Sequence, residues 1–195
     1  QNEVTRIDNT DGIIHGPSHV LSQGTAEVSR VEVGQPIGFF YGFETDGILQ
    51  NQDEVDAYQR PDGTPYFSDQ RPGDVRFVDQ NQDGLINEDD KVYLGDPNPD
   101  FEVGSQLYFE YKGVYANATL AGKYGMQVMQ SYRSFSDNPA QNYTSDVFNR
   151  WHGEGTSTKM PRLGSVSNRN TQYISDIYMH DADYLRINNV TLGYN

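Results

Sequence analysis

The stretch Asp79-Gln80-Asn81-Gln82-Asp83-Gly84-Leu85-Ile86-Asn87-Glu88-Asp89-Asp90 sets oxygen-bearing side chains at alternate positions ahead of a glycine. A hard cation such as Ca2+ needs many oxygens inside one small sphere, and a loop with donors at its first, third, fifth, seventh and twelfth positions converges them there. In this chain those donors are Asp79, Asn81 and Asp83 by side chain, Leu85 by its backbone carbonyl, and Asp90 as the closing carboxylate. Gly84 permits the sharp turn, and Ile86 is expected to point inward as an apolar anchor. Bunched carboxylates repel one another until a cation neutralises them, so bound calcium would order the segment. A structural role is expected, because a lone loop without a paired second one lacks the architecture of a calcium switch. The plainer alternative is an acidic turn that binds nothing.

Other residue constellations carry less chemistry. His15 and His19 stand four apart, but Pro17 between them opposes a helix that would present both, so a loop pair is expected. His152 and His180 are remote from them and from each other. No Gly-x-Ser-x-Gly elbow or phosphate loop occurs, and nothing singles out two of the carboxylates as an acid and base pair. No catalytic residue is assigned, and an enzyme is not expected. The closing Asp90 is shorter than the glutamate of an EF-hand, and in this the loop resembles those of dockerin-type repeats.

The elements that must position such a loop are constrained by composition. The 195 residues are 35% apolar yet 12% aromatic, with 14 Tyr, 9 Phe and 1 Trp, a ring content that opposes disorder. With 19 Gly and 9 Pro, turns must be frequent, which opposes long helices and coiled coils. Lys and Arg number 14 against 28 Asp and Glu, and the net charge of -14 makes nucleic acid a poor partner. The absence of cysteine removes disulfides and thiolate chemistry. No apolar run is long enough for a membrane helix, and Ile37 to Phe43 is broken by Gly38 and Gly42. Spanning by β-strands stays open, since such strands show only weak alternation with aromatics near their ends. The first residues carry no basic and apolar leader pattern.

Along the chain, Ala26 to Val33 reads as a short strand, and the aromatic, glycine-rich run Gly34 to Phe43 cannot be a stable helix. Residues 44–76 read as a long acidic loop in which Gln52 to Tyr58 could form a brief helix. Glu102 to Tyr111 alternates clearly, with Val103, Leu107, Phe109 and Tyr111 on one face and Glu102, Gln106 and Glu110 on the other. After Lys112-Gly113 the period resumes, with Val114, Ala116, Ala118, Leu120 and Tyr124 opposite Asn117, Thr119 and Lys123. These two strands predict a hairpin long enough to cross a bilayer, longer than the strands usual in soluble proteins. A long hairpin in a soluble sandwich is the alternative, but it needs a second sheet whose alternation is not evident. Residues 126–183 alternate little, and Ser145 to His152 places Val147, Phe148 and Trp151 at helical spacing as one packed stripe. Tyr184 to Asn195 reads as a strand with a bulge at Asn188-Asn189, and its abrupt stop reads as truncation.

The order of segments resembles the SusC/RagA-type TonB-dependent outer-membrane transporters. The resemblance rests on Gly34 to Phe43 followed by Asp46-Gly47-Ile48, and on Pro72-Gly73-Asp74-Val75-Arg76-Phe77 leading into the Asp79 loop. It continues through Gly95-Asp96-Pro97-Asn98-Pro99-Asp100-Phe101, Arg150-Trp151, Met160-Pro161-Arg162 and Asp183 to Tyr194. It implies an all-β fold for residues 1–195, namely antiparallel strands from the C-terminal part of a large transmembrane β-barrel of about 22 strands with long extracellular loops. It further implies a place in the outer membrane of a Gram-negative cell and import of glycans or peptides. The implied partners are a SusD-like surface lipoprotein and TonB, the latter through N-terminal parts absent from this sequence. A soluble, calcium-stabilised β-rich module that binds carbohydrate is the rival reading, while a secreted hydrolase finds no support. Tyr132, Phe135, Tyr143 and Trp151 are candidate sugar-stacking rings.

Overall fold

The computed structural model describes residues 3–16, 27–130, 145–163 and 169–194. In chain order the elements are β1 (Ile13–His15), β2 (Ser29–Glu32), β3 (Phe39–Phe43), β4 (Thr45–Ile48), α1 (Gln52–Ala57), β5 (Val75–Phe77) and β6 (Lys91–Gly95). There follow β7 (Phe101–Tyr111), β8 (Val114–Tyr124), β9 (Gln127–Met129), α2 (Arg169–Gln172), β10 (Met179–Asp181) and β11 (Tyr184–Tyr194). Short 3-10 turns occupy Glu88–Asp90, Ser145–Asn149 and Asp176–Tyr178. Strands pair in the orders β1-β2-β3-β6, β4-β5, β10-β9 and β11-β8-β7, all antiparallel.

The long sheet follows from the period-two pattern. β7 and β8 are in register along their whole length, from Phe101 opposite Tyr124 to Tyr111 opposite Val114. Lys112 (φ 48) and Gly113 (φ 83) both lie in the left-handed region, as a two-residue hairpin turn matched to strand twist requires. On the other side β8 pairs with β11, and the register shifts between Ile187 and Asn189. That bulge is the one anticipated at the asparagine pair. Its consequence is parity: in a regular strand that kept Asn188 in the ladder, Val190 and Leu192 would emerge on the face opposite Leu185 and Ile187. With the bulge, Leu185, Ile187, Val190, Leu192 and Tyr194 stand beside Gly122, Leu120, Ala118, Ala116 and Val114, and these beside Val103, Ser105, Leu107, Phe109 and Tyr111.

The sheet therefore has one apolar face and one polar face. Phe101 and Tyr124 bound the apolar face at one end, with ring centroids 6.4 Å apart, and Tyr111 and Tyr194 bound it at the other. Nothing among the described residues covers it: Leu107 is 58% exposed and Leu192 75%.

The remaining sheets form a separate packed body. Phe43, Val75 and Phe77 make one buried cluster, joined by Phe67, Ile86 and Tyr173, and Val28, Met129, Ile174 and Tyr178 make another. Phe43 stacks on Tyr173 at 4.9 Å, and Phe77 meets both rings. Helix α1 starts where Asn51 accepts from the Glu54 amide while the Glu54 carboxylate accepts from the Gln50 amide, and Val55 is its buried contact.

Three expectations need correction. Residues 44–76 are not one loop but hold the β4–β5 pair, Thr45 opposite Phe77 and Ile48 opposite Val75, in strands too short to show a period. Sheets beyond the long hairpin do exist, although they bury their own cluster residues and leave the apolar face bare. Ser145–Asn149 forms a 3-10 turn in place of a helix packed along one stripe, and Phe148 is exposed.

Candidate functional site

The loop Asp79–Asp90 folds around its own amides. Asp83 accepts through Oδ1 from the Leu85 amide at 2.8 Å, and Asn81 Oδ1 accepts from the Asp83 amide at 2.9 Å. Asp79 Oδ2 accepts from the Gly84 amide and from the Tyr66 hydroxyl, each at 2.9 Å. Asp90 is fully buried, and its oxygens accept from the Gln80 and Asn87 amides at 2.9 and 2.8 Å. Gly84 (φ 84) and Gln82 (φ 59) make the turn in the left-handed region. Ile86 packs on the Phe43–Val75–Phe77 cluster, the anchor role expected of it, while the Leu85 side chain is exposed.

Asp79 Oδ1 is buried with no hydrogen-bond partner among the described residues, an arrangement costly for a carboxylate unless a cation completes it. Burial and the bond to Asp79 push the Tyr66 hydroxyl up to about 12, so it remains a donor. Among the described residues no set of three or more His, Cys, Asp or Glu side chains is gathered around one point suited to a metal ion. The donor set of this loop is mixed, with two of its five members an amide and a backbone carbonyl.

The polar face of the long sheet carries its own network of side-chain contacts. Lys123 pairs with Glu102 at 2.7 Å, and the Tyr108 hydroxyl donates to Glu110 at 2.7 Å. The rings of Tyr108 and Tyr115 stack with centroids 6.5 Å apart. Tyr115 lies flat over Gly193, where a Cβ would come within 2.2 Å of the ring, so only glycine admits the contact.

Sequence reasoning missed a buried ionic junction between distant segments. Asp74 is 1% exposed and takes Arg162 at 2.7 Å, Arg169 at 3.3 Å and the Asn170 amide at 2.8 Å. Asn170 in turn accepts from the Val75 amide at 2.9 Å. Gly73 accepts from the Arg162 amide and lies beneath Trp151, whose backbone N–H donates to Met160. The blocks Pro72-Gly73-Asp74, Arg150-Trp151 and Met160-Pro161-Arg162 thus meet in space. Their composition signalled separate landmarks, and only folding reveals one junction.

Of the histidines, His15 pairs with Glu27 at 2.9 Å, His152 donates to the Arg150 carbonyl and His180 to Gln130. His19, Tyr132, Phe135 and Tyr143 lie outside the described residues. Trp151 is half-buried against Gly73 and Arg162, a packing position.

No family profile matches the chain. Individual proteins do, over its whole length. It is 29% identical over 198 residues to TonB-dependent receptor P3 of Formosa agariphila, which covers 100% of this chain and 18% of that protein. It is 26% identical over 196 residues to TonB-dependent receptor SusC of Bacteroides thetaiotaomicron, covering 99% of this chain and 17% of that protein. Among solved structures it superposes on a chain of the RagAB peptide importer in the closed-closed state with a TM-score of 0.59 and 20% identity, over 98% of this chain and 19% of that one. The open-open state gives a TM-score of 0.58. The chain therefore spans less than a fifth of the length of these relatives, and its three-stranded sheet shares their fold without closing a barrel.

Proposed function

We propose that this chain is a section of the wall and outer loops of a SusC/RagA-type TonB-dependent outer-membrane transporter that imports glycans or peptides. One observation carries the reading: a sheet of 11-residue strands with an uncovered apolar face bounded by aromatic rings and a polar opposite face. This is the lipid-out, lumen-in alternation of membrane strands, whose length suits a tilted crossing. Similarity to TonB-dependent receptors along the whole chain supports it. The partners of this reading are a SusD-like surface lipoprotein and TonB, the latter engaged through parts of the protein outside this sequence. The chain serves uptake and has no catalytic role. The soluble-module reading is not favoured, because such a module would have to cover the apolar face.

In this arrangement the tight Lys112-Gly113 turn faces the periplasm and residues 34–100 and 126–183 lie outside the cell, since barrels pair short inner turns with long outer loops. In intact cells, Gln82→Cys in the full-length protein reacts with a membrane-impermeant maleimide while Gly113→Cys stays protected. The opposite pattern would overturn the orientation, and absence of the protein from outer-membrane fractions would overturn the reading itself.

The loop Asp79–Asp90 is, in the same proposal, a structural calcium site held by Asp79, Asn81, Asp83, the Leu85 carbonyl and Asp90. Donor spacing, the left-handed turn at Gly84 and the unpaired Asp79 Oδ1 support it. Calorimetric titration of calcium into the chelator-treated full-length protein should release heat and raise its melting temperature, and Asp83→Ala should abolish both. No heat and no thermal shift would remove the site.

A further inference from the structure

A cleft of about 640 Å³ lies where the β6–β7 and β8–β9 connections meet β10, beyond the Phe101 and Tyr124 end of the long sheet. Tyr93 forms one wall. Its ring is backed by the buried Phe39 ring at 5.4 Å, its hydroxyl donates to Asp96 Oδ2 at 2.6 Å, and it is 43% exposed. One face of the ring is thus covered, its edge is tied, and the ring is held rigid toward the cleft. Burial, together with the Asp96 carboxylate, raises the pKa of that hydroxyl, so it stays protonated and the tie persists at physiological pH.

Around this ring stand both donors and acceptors. Asp96 Oδ1 accepts from the Asn98 amide at 2.8 Å. Gln127 Oε1 accepts from the Asp96 amide at 3.2 Å, which leaves the Gln127 amide nitrogen without a protein acceptor among the described residues. His180 Nε2 is 2.9 Å from Gln130 Oε1, an oxygen that can only accept, so the ring donates there and its Nδ1 is free to accept. Asp100 and Asp181 add carboxylates at the rim, and no Lys or Arg among the described residues lines the cleft.

The chemistry of the occupant follows by matching. An anionic ligand would meet carboxylates and no cation. An ammonium or guanidinium would satisfy the carboxylates, but as a pure donor it offers the Gln127 amide nitrogen no acceptor. Hydroxyl groups donate and accept at once, and the C–H face of a pyranose can lie on a rigid aromatic ring. The volume falls in the range of small-ligand sites. We infer that this cleft is a binding subsite for neutral saccharides, with Tyr93 as the stacking platform and Asp96, Gln127 and His180 as hydroxyl partners. This rests on the importer reading and chooses glycans over peptides within it.

The test uses the full-length protein in detergent, with heat-modifiable gel migration as the check that the barrel is intact. The probes are an array of neutral hexasaccharides of glucose, mannose, galactose, xylose and fructose, and hexapeptides rich in Lys and Arg. The expected result is binding to at least one neutral hexasaccharide, weakened about ten-fold or more by Tyr93→Ala, kept by Tyr93→Trp, and untouched by Tyr111→Ala on the apolar face. Should Tyr93→Ala fail the migration check, Gln127→Ala makes the same comparison. Binding of no neutral hexasaccharide, or equal binding by the Tyr93 and Gln127 variants, overturns the subsite. Binding of cationic peptides alone, lost in Asp96→Asn, reassigns the cleft to peptides. In each of these outcomes an intact barrel in the outer membrane leaves the importer reading standing.

Discussion

Asp74 shows what one residue can hold together. A carboxylate at 1% exposure is tolerable only when paired and hydrogen-bonded, and here two guanidiniums, the Asn170 amide and the Arg71 backbone amide surround it. Asp74→Ala would leave Arg162 and Arg169, both largely buried, without that partner, at a cost of about 3–5 kcal/mol. The loss should be local: faster hydrogen exchange across residues 145–180 of the full-length protein, with barrel migration unchanged. Asp176 tests the opposite case. Burial raises its pKa, outweighing the bonds it accepts from Thr45, one of them from the hydroxyl at 2.6 Å, and nearby Glu44 raises it further. The folded state therefore holds its proton more tightly than the unfolded chain. Its contribution is full below the ordinary Asp range and is lost as pH rises through the raised value. Asp176→Asn should accordingly leave the melting temperature unchanged at pH 3 and raise it at pH 7. A uniform shift at both values would show that the charge is not the cause.

At the scale of the element, β11 makes the case for a designed irregularity. Its sequence changes parity midway, and the bulge at Asn188 realigns Val190, Leu192 and Tyr194 with Leu185 and Ile187 on one face. Deleting Asn188 should therefore keep the same five residues on one face in plain alternation and preserve the heat-modifiable folded form in the outer membrane, and loss of that form would show that the bulge itself is required. The two faces also differ in what they tolerate. Leu107→Arg places a cation on the apolar face and should cost about 2–4 kcal/mol of barrel stability near the bilayer midplane. Gln106→Arg, one residue away on the polar face, should cost far less, which urea titration of the folded band can resolve.

For the whole molecule, two features act together. The apolar face of β7, β8 and β11 has no cover, and the outer edges of β7 and β11 have no partner strand among the described residues. Each invites association with other chains. Residues 1–195 expressed alone should aggregate in detergent-free buffer despite a net charge of -14. A monodisperse monomer with cooperative melting would instead favour a soluble module.

The amino-acid sequence by itself determined the long hairpin, its tight turn and the bulged last strand, because a period of two over eleven residues is a strong local signal and a bulge leaves a visible change of parity. It also marked the calcium loop as a candidate, whose donors sit close together in the chain. Strands β4, β5, β9 and β10 were illegible, because three or four residues carry no period and their pairing depends on partners up to about fifty positions away. Only the tertiary structure brought Asp74 to Arg162, Arg169 and Asn170, and Tyr93 to Gln127 and His180 around one cleft. Such convergence is a property of chain closure over long separations, and no local spacing rule encodes it.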